Sequence, residues 1–348
     1  MDLEQRIDHF RLLGEVMGAI GEGREWPGFD IGLNEEEYQD LDQLVRAQVH
    51  HNGWFTEGEV RRALKAWSAE LKADKLKKWL SVYDLKNSPK RSVGIIMAGN
   101  IPLVGFHDLL STLMAGHKAL VKTSKDDDQL IRAFFKVLTH FDESWRDEVE
   151  WVEGPMKGHQ AVIATGSNNT SRYFEHYFSE VPHIIRKNRT SVAILDGTET
   201  EEEMRGLGQD IFAYYGLGCR NVTKLYVSED YDLDHFFKAM FDFKEVMTLN
   251  KYLNNYDYHR SIYLLNGDDL LENGFLLIKQ EASLHSPVAC MFYERFGNRE
   301  ALRRDLKAKA EQIQCIVSKE DVPFGRAQYP SLADYADGED TMAFLSSL

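Results

Sequence analysis

Cys219 is the residue of this chain that is best placed to act as a nucleophile. It comes just after a helix-like stretch, follows Gly216 and Gly218, and precedes a β-branched run. A thiol in a glycine-rich turn can be partly exposed and held as a thiolate, which is the form that attacks carbonyl carbon. A free cysteine is more often a small buried hydrophobic residue, so other segments must decide between the two interpretations.

A second candidate, Asn100, follows the apolar run 93–97, which the pattern predicts to be a strand. Ligands of open α/β sheets bind at the carboxyl ends of the strands, so an amide donor there points toward the ligand crevice. Such a donor can stabilise an oxyanion. The alternative is that Asn100 only caps the following helix.

Two more segments also follow predicted strands and are candidates for binding a dinucleotide. The stretch 122–125 places two ammonium groups at a carboxyl end, where ribose and phosphates could lie. The stretch 165–167 is a glycine turn at a helix start, where backbone N–H groups and hydroxyls can hold phosphate. The candidate cofactor-binding residues are Lys122, Ser124, Lys125, Thr165, Gly166 and Ser167.

The elements that position these residues are predicted from alternating β-branched and amphipathic stretches. The first series is 92–98, 105–115, 119–122, 129–141, 161–165, 170–178, 192–195 and 201–215. The second series is 224–228, 232–243, 261–265, 288–293, 299–310 and 314–318. Strands that alternate with helices indicate parallel sheets with crossover helices, so the fold class is α/β, with a doubly wound domain followed by a second α/β domain.

This organisation predicts three parts of the chain. Residues 1–197 comprise a helical flank, up to about residue 88, and a dinucleotide-binding domain; residues 198–330 form the catalytic cysteine domain. Residues 331–348 are a turn-rich, acidic tail that lacks the regular oxygen ligands of a calcium loop, which favours a solvated or packed tail.

Composition narrows the possible partners. The net charge of −15 argues against nucleic acid or an anionic membrane as a general partner, because phosphates require a basic surface. No run of eighteen apolar residues is present, so no membrane insertion is expected. The three cysteines lack disulfide or zinc spacing, which predicts a cytoplasmic protein without a metal site.

Four short motifs, in chain order, resemble those of the aldehyde dehydrogenase superfamily from about residue 90 onward. Residues 100–102 look like its Asn-Phe-Pro, 122–125 like its Lys-Pro-Ser-Glu, 165–167 like its Thr-Gly-Ser, and 218–219 like its Gly-Gln-x-Cys. The resemblance implies an aldehyde dehydrogenase-like fold, with Cys219 as nucleophile and Asn100 in the oxyanion site. It also implies a homo-oligomer.

Within that superfamily, the chain is similar to the acyl-CoA reductases of bacterial luminescence. Its residues 324–338 resemble the C-terminal tail of those enzymes. Two departures agree with this branch. Arg186 stands where hydrolytic members carry the Glu that activates water, and a guanidinium cannot take a proton from water. Lys125 stands where members that prefer NAD carry a Glu, which favours NADPH.

The Glu that holds the nicotinamide ribose in the superfamily has two imperfect counterparts. Residues 283–288 match the Pro-Val and the strand that follows, whereas residues 294–297 match the letters but are expected after the strand. We prefer the first, because strand register outranks letter identity, and this alignment leaves the chain without the Glu.

The resemblance therefore implies NADPH-dependent reduction of acyl-CoA to aldehyde through a thioester on Cys219. Three alternatives remain open from the sequence. The chain could reduce an acyl phosphate, it could oxidise an aldehyde, or it could be an inactive scaffold subunit. The intact pair of Asn100 and Cys219 argues against the scaffold, and Arg186 disfavours oxidation.

Overall fold

The structure is a computed structural model that describes residues 1–85 and 89–348. The last three residues of the predicted helical flank, 86–88, lie outside the described residues. The strands are β1 Ser92–Ile96, β2 Lys118–Lys122, β3 Val149–Trp151, β4 Ala161–Thr165, β5 His183–Arg186, β6 Thr190–Leu195, β7 Val222–Ser228, β8 Leu270–Glu272, β9 Leu277–Gln280, β10 Cys290–Phe296 and β11 Ile313–Val317.

The helices alternate with these strands after a helical N-terminal region. They are α1 Leu3–Gly21, α2 Glu35–His51, α3 Glu57–Glu70, α4 Ala73–Leu80, α5 Phe106–Met114, α6 Asp128–Phe141, α7 Trp145–Glu148, α8 Asn168–Tyr177, α9 Glu201–Phe212, α10 Leu233–Met240, α11 Asn250–Asn266, α12 Arg299–Ala308 and α13 Thr341–Ser346. No helix in the described part of the chain is long and apolar enough to span a membrane.

The first compact unit, residues 1–187 with 331–348, contains a five-stranded sheet in the order β3-β2-β1-β4-β5. All neighbours in this sheet are parallel. Val93 and Ile95 of the central strand β1 are fully buried, as expected of a strand covered by helices on both faces. The chain leaves β1 for β2 on one side and later returns to β4 on the other, which is the doubly wound topology that the sequence predicts.

The N-terminal helices pack closely because small residues line their contact. A Cβ atom on Gly14 would lie 2.7 Å from the Leu71 side chain, and one on Gly18 would lie 2.5 Å from Ser68 Oγ. Only glycine lets the backbone of α1 approach at these positions. The predicted helical flank is thus a layer of the first unit, joined to its core through residues such as Phe10 and Leu64.

The C-terminal segment 331–348 also belongs to the first unit and its core. Tyr335 is buried, and its hydroxyl accepts a hydrogen bond from Trp79 Nε1 at 2.7 Å. Met342 and Leu345 of α13 are fully buried. Of the two alternatives for this tail, the structure therefore has the packed one.

The second compact unit, residues 188–330, contains a six-stranded sheet in the order β11-β6-β7-β10-β9-β8. Its pairs are parallel except for β8 with β9. The unit begins before the expected boundary at 197/198, because β6 pairs with β7 and β11 rather than with the first sheet. The division between the units therefore lies between 187 and 188.

One predicted element of the second series is wrong. The stretch 261–265, an apolar run grouped with the strands and helices of that series, lies inside the single long helix α11. The helix buries Tyr252, Tyr256 and Tyr263, whereas the aliphatic residues of the run, such as Leu264 and Leu265, are exposed. A short apolar run does not distinguish a strand from part of a helix.

Candidate functional site

In the first unit, three predicted segments follow the carboxyl ends of three adjacent parallel strands. Asn100 follows β1, residues 122–125 end β2, and residues 165–167 end β4. The chain reverses its direction of winding between β1 and β4, and this is the place where open α/β sheets bind ligands. Asn100 is exposed at this edge.

The loops after β1 and β2 are in direct contact. A Cβ atom on Gly99 would lie 2.5 Å from Ser124 Oγ, so glycine is required for this approach. Asp127 holds the same loops together, because its Oδ2 accepts the Leu103 N–H at 2.6 Å. Burial raises the pKa of Asp127 well above its usual value. The sequence analysis missed Asp127, since neither its type nor its spacing distinguishes it from the acidic residues beside it.

The loop after β4 forms a helix N-terminus. Ser167 is the N-cap of α8, and its Oγ accepts the Thr170 N–H at 3.2 Å. Gly166 lets this turn approach the helix, because a Cβ atom there would lie 3.0 Å from Thr170 Cβ. Ser167 is exposed and Thr165 is half-buried. An exposed helix N-terminus beside a glycine turn is suited to bind an anion such as phosphate.

The two lysines after β2 differ in their surroundings. Lys122 is half-buried, and its Nζ donates to the Gly154 carbonyl at 3.0 Å. Lys125 is exposed. Lys125 is therefore the lysine whose ammonium group is accessible to an anionic ligand.

Arg186 ends β5, where it pairs with Thr165 of β4 in register. The guanidinium is buried, and it forms an ion pair with Asp108 of α5 at 2.5 Å and donates to Thr341 Oγ1 at 2.8 Å. Thr341 begins α13, so this network joins the C-terminal helix to the sheet. A protonated guanidinium held in this way cannot act as a base toward water.

In the second unit, Cys219 lies in a tight turn that leads into β7. The Asn221 N–H donates to the Gly218 carbonyl at 3.0 Å, which closes the turn around Cys219 and Arg220. Cys219 is half-buried, so the thiol is neither enclosed in the core nor fully solvated. Partial exposure is what a reactive cysteine requires.

Ser191 of β6 holds this turn from the neighbouring strand. Its Oγ donates to the Cys219 carbonyl at 3.0 Å and contacts the Cys315 Sγ at 3.1 Å. Burial raises the pKa of the Cys315 thiol. The sequence analysis did not place Cys315 near the Cys219 turn, because no sequence motif connects two residues that lie so far apart in the chain.

The two counterparts of the ribose-binding Glu are also located. From the sequence, Glu294 was expected to follow the strand. In the structure it lies inside β10. Its carboxylate forms an ion pair with Lys224 at 2.7 Å, and Lys224 is fully buried. The strand β10 does begin just after Pro287 and Val288, as the preferred alignment requires.

Residues 70–242, just under half of the chain, match the acyl-CoA reductase (LuxC) family. This match includes Asn100, both candidate cofactor-binding segments and Cys219. The chain is LuxC-like over this stretch, and its fold is that of the aldehyde dehydrogenases. No curated protein matches its sequence.

Solved structures of aldehyde dehydrogenases share the fold of this LuxC-like chain. Aldehyde dehydrogenase 21 from Physcomitrella patens, in complex with the reaction product succinate, superposes with a TM-score of 0.63 at 11% identity, covering 92% of this chain and 74% of that one. An NADP dependent enzyme from E. coli gives 0.64 at 12%, covering 91% and 73%. An aldehyde dehydrogenase from Bacillus cereus in complex with NAD⁺ gives 0.60 at 12%, covering 91% and 72%.

The predicted fold class is thus confirmed. The LuxC-like chain has the aldehyde dehydrogenase-like α/β fold, and the family and the fold together support an aldehyde-related oxidoreductase with an acyl substrate. Asn100 belongs to the first unit and Cys219 to the second, so their joint action on one carbonyl stays a prediction.

Proposed function

We propose that this protein reduces acyl-CoA to the corresponding aldehyde with NADPH, through a thioester formed on Cys219. The observation that carries the proposal is the Cys219 turn. Its thiol is half-buried, and its backbone is tied to Ser191 and closed by Asn221. A nucleophile held at one place can attack a bound carbonyl without first losing conformational freedom. The match to the acyl-CoA reductase family supports acyl-CoA as the substrate.

In the first half-reaction, the Cys219 thiolate attacks the thioester carbonyl of acyl-CoA. A bond forms between the cysteine sulfur and the acyl carbon, the bond to the CoA sulfur breaks, and CoA leaves as a thiolate that takes a proton from solvent. We assign the Asn100 amide and the Cys219 backbone N–H to the oxyanion of this step. Hydrogen-bond donors aimed at developing charge are typically a large part of such catalysis.

The Arg186 network supports reduction over hydrolysis. By the resemblance, Arg186 stands where hydrolytic members of the superfamily carry the Glu that activates water. Its guanidinium is buried against Asp108. It stays protonated and cannot activate water. A thioester on Cys219 would then persist until it is reduced.

The residues at the carboxyl edge of the first sheet fit a dinucleotide. The exposed N-terminus of α8 is suited to its phosphates, and exposed Lys125 is suited to the 2′-phosphate of NADPH. The chemistry that NADPH supplies when bound is donation of a hydride. Cys219 sulfur is then the leaving group of the reduced adduct, and its departure as a thiolate frees the aldehyde and restores the enzyme.

The test uses the purified full chain with acyl-CoA of short, medium and long chain length, and it measures both NADPH oxidation and incorporation of a radiolabelled acyl group. Cys219→Ala is expected to abolish both. Cys290→Ala is the matched control, because burial raises the pKa of that thiol to about 12 and makes it a poor nucleophile. Label that survives in Cys219→Ala would place the nucleophile elsewhere.

The same assay separates the alternatives. An acyl phosphate reductase would oxidise NADPH with acyl phosphate and not with acyl-CoA. An aldehyde dehydrogenase would instead reduce NADP⁺ when given aldehyde and water. A scaffold subunit would show no turnover with any of these substrates while it remained folded.

A further inference from the structure

The Asn221 side chain is fully buried, and its polar atoms hold the turn that carries Cys219. Its Oδ1 accepts the Gly218 N–H at 2.7 Å. Its own backbone N–H donates to the Gly218 carbonyl at 3.0 Å. Gly218 is therefore held through both of its backbone polar groups, immediately before the cysteine.

The other half of the amide ties the same turn to helix α9. The two hydrogens of Asn221 Nδ2 are shared among the carbonyls of Asp210 at 3.1 Å, Ile211 at 3.1 Å and Ala213 at 2.8 Å. Carbonyls at a helix C-terminus have no partner within the helix and must find one elsewhere. One side chain thus provides hydrogen-bond partners for the carbonyls at the end of α9 and for the Gly218 N–H at the start of the Cys219 turn.

The backbone between these two anchor points is in an unfavourable conformation. Tyr214 and Tyr215 have φ angles of 51° and 56°, and Gly216 follows with 80°. Left-handed geometry is costly for a bulky residue and persists only when surrounding contacts enforce it. Local sequence preference does not favour this path, so surrounding contacts, among them those of Asn221 at both ends, must fix it.

Ser191 provides a second anchor from strand β6. Its Oγ donates to the Cys219 carbonyl at 3.0 Å, and its backbone N–H donates to the Asn221 carbonyl at 3.2 Å. Ser191 is fully buried as well. The turn is therefore held from the preceding helix and from the adjacent strand.

We propose that Asn221 is a positioning residue for the reaction: with Ser191, it fixes the Cys219 backbone so that the sulfur meets the acyl carbon of the bound substrate. This role rests on the proposed function. Asn221 touches neither substrate nor cofactor in this role and acts through the geometry of the nucleophile.

The experiment compares two reactions of the same sulfur in the full-length protein. Acylation by acyl-CoA requires an oriented nucleophile, whereas alkylation by iodoacetamide requires only an accessible thiolate. In Asn221→Ala, acylation of Cys219 and kcat are expected to fall about tenfold to a hundredfold, the usual result of a misplaced reacting group. The alkylation rate of Cys219, followed by mass spectrometry, should change much less, and the KM for NADPH should not change.

Asn273→Ala is the matched control. Asn273 also accepts backbone N–H groups in the second unit, from Phe275 at 3.2 Å and Leu276 at 2.9 Å, but in the loop between β8 and β9. Its variant should lose stability while it retains acylation. If Asn221→Ala does not fold, Ser191→Ala tests the same role, because it removes one hydroxyl and keeps the backbone contact.

The outcomes separate the two proposals. If the wild-type protein is never acylated at Cys219, the proposed function fails. If the wild type is acylated and Asn221→Ala and Ser191→Ala acylate as fast as Asn273→Ala, the function stands and the positioning role is overturned.

Discussion

Lys125 is the residue on which the proposed choice of NADPH over NADH depends. Its side chain is exposed just after β2. Asp126 and Asp128 follow in the same stretch, so the local charge is mixed and the proposal requires the lysine to contact the 2′-phosphate directly. An ammonium attracts this phosphate and a carboxylate repels it.

We therefore expect Lys125→Glu to lower kcat/KM for NADPH about tenfold or more, because the substitution reverses the sign of an interaction worth about 1 kcal/mol even in bulk water. The value for NADH should stay the same or rise. The measurement is the ratio of the two kcat/KM values. Lys78→Glu, an equal change of charge at another exposed lysine of the first unit, should leave the ratio unchanged. An unchanged ratio in Lys125→Glu would remove Lys125 from the cofactor site.

Several of the candidate residues that the sequence indicated share one property. Cys219, Asn100 and the residues of 165–167 each lie beside a glycine and next to a predicted strand, so type and spacing alone select them. Asn221 and Asp127 have no such signal. Their importance comes from contacts with Gly218 and Leu103, and such contacts follow from the fold rather than from any local pattern.

At the scale of elements, Arg186 connects three of them. It ends β5, pairs with Asp108 of α5 and donates to Thr341 at the start of α13. Both charged groups are nearly inaccessible to solvent. Removal of one partner from a buried pair leaves the other charge without compensation, which costs far more than the loss of a surface pair.

Arg186→Ala is expected to lower the free energy of unfolding by about 3–5 kcal/mol, because Asp108 would stay buried without its cation. Lys187→Ala is the control at the next position. Lys187 pairs with Glu175 at the surface, and such pairs contribute about 0–1 kcal/mol. Denaturant titration of both variants measures the difference. Equal losses would mean that the ion pair with Asp108 does not stabilise the first unit.

The apolar runs of the sequence explain why some elements were missed or misassigned. Strand β5 is short and ends in a charged residue, so it carries no apolar run that would predict it. The stretch 261–265 has such a run, yet it forms part of α11, whose buried residues are tyrosines. By contrast, the interiors of β1 and β4 consist of apolar residues and glycine, and both strands were predicted within a residue or two of their observed ends.

At the scale of the whole molecule, the sequence predicted two α/β parts but not where one ends. The boundary lies between residues 187 and 188, because β6 joins the second sheet, and residues 331–348 return to the first unit. Strand pairing across long separations in the chain decides both features. No local composition change marks either of them.

Stability against pH is also a property of the whole chain, and Asp210 of α9 contributes to it. Its fully buried carboxylate accepts N–H groups from Gly325 at 2.7 Å and Ala327 at 3.0 Å, so it holds the turn before the end of the second unit. Burial raises the pKa of Asp210 to about 7, and the two N–H groups offset only part of this rise.

The raised pKa of Asp210 determines how stability changes with pH. Between the unfolded pKa near 4 and the folded pKa, the native state binds a proton that the unfolded state does not, so stability from this group is complete below pH 4 and is lost as pH rises through 7. Asp210→Asn cannot titrate. We therefore expect the unfolding free energy of the wild type, relative to Asp210→Asn, to fall by about 2–3 kcal/mol between pH 5 and pH 8. Denaturant titrations of both proteins at several pH values measure this difference. A difference that instead grows with pH would mean that the N–H groups of Gly325 and Ala327 outweigh burial and hold Asp210 ionised.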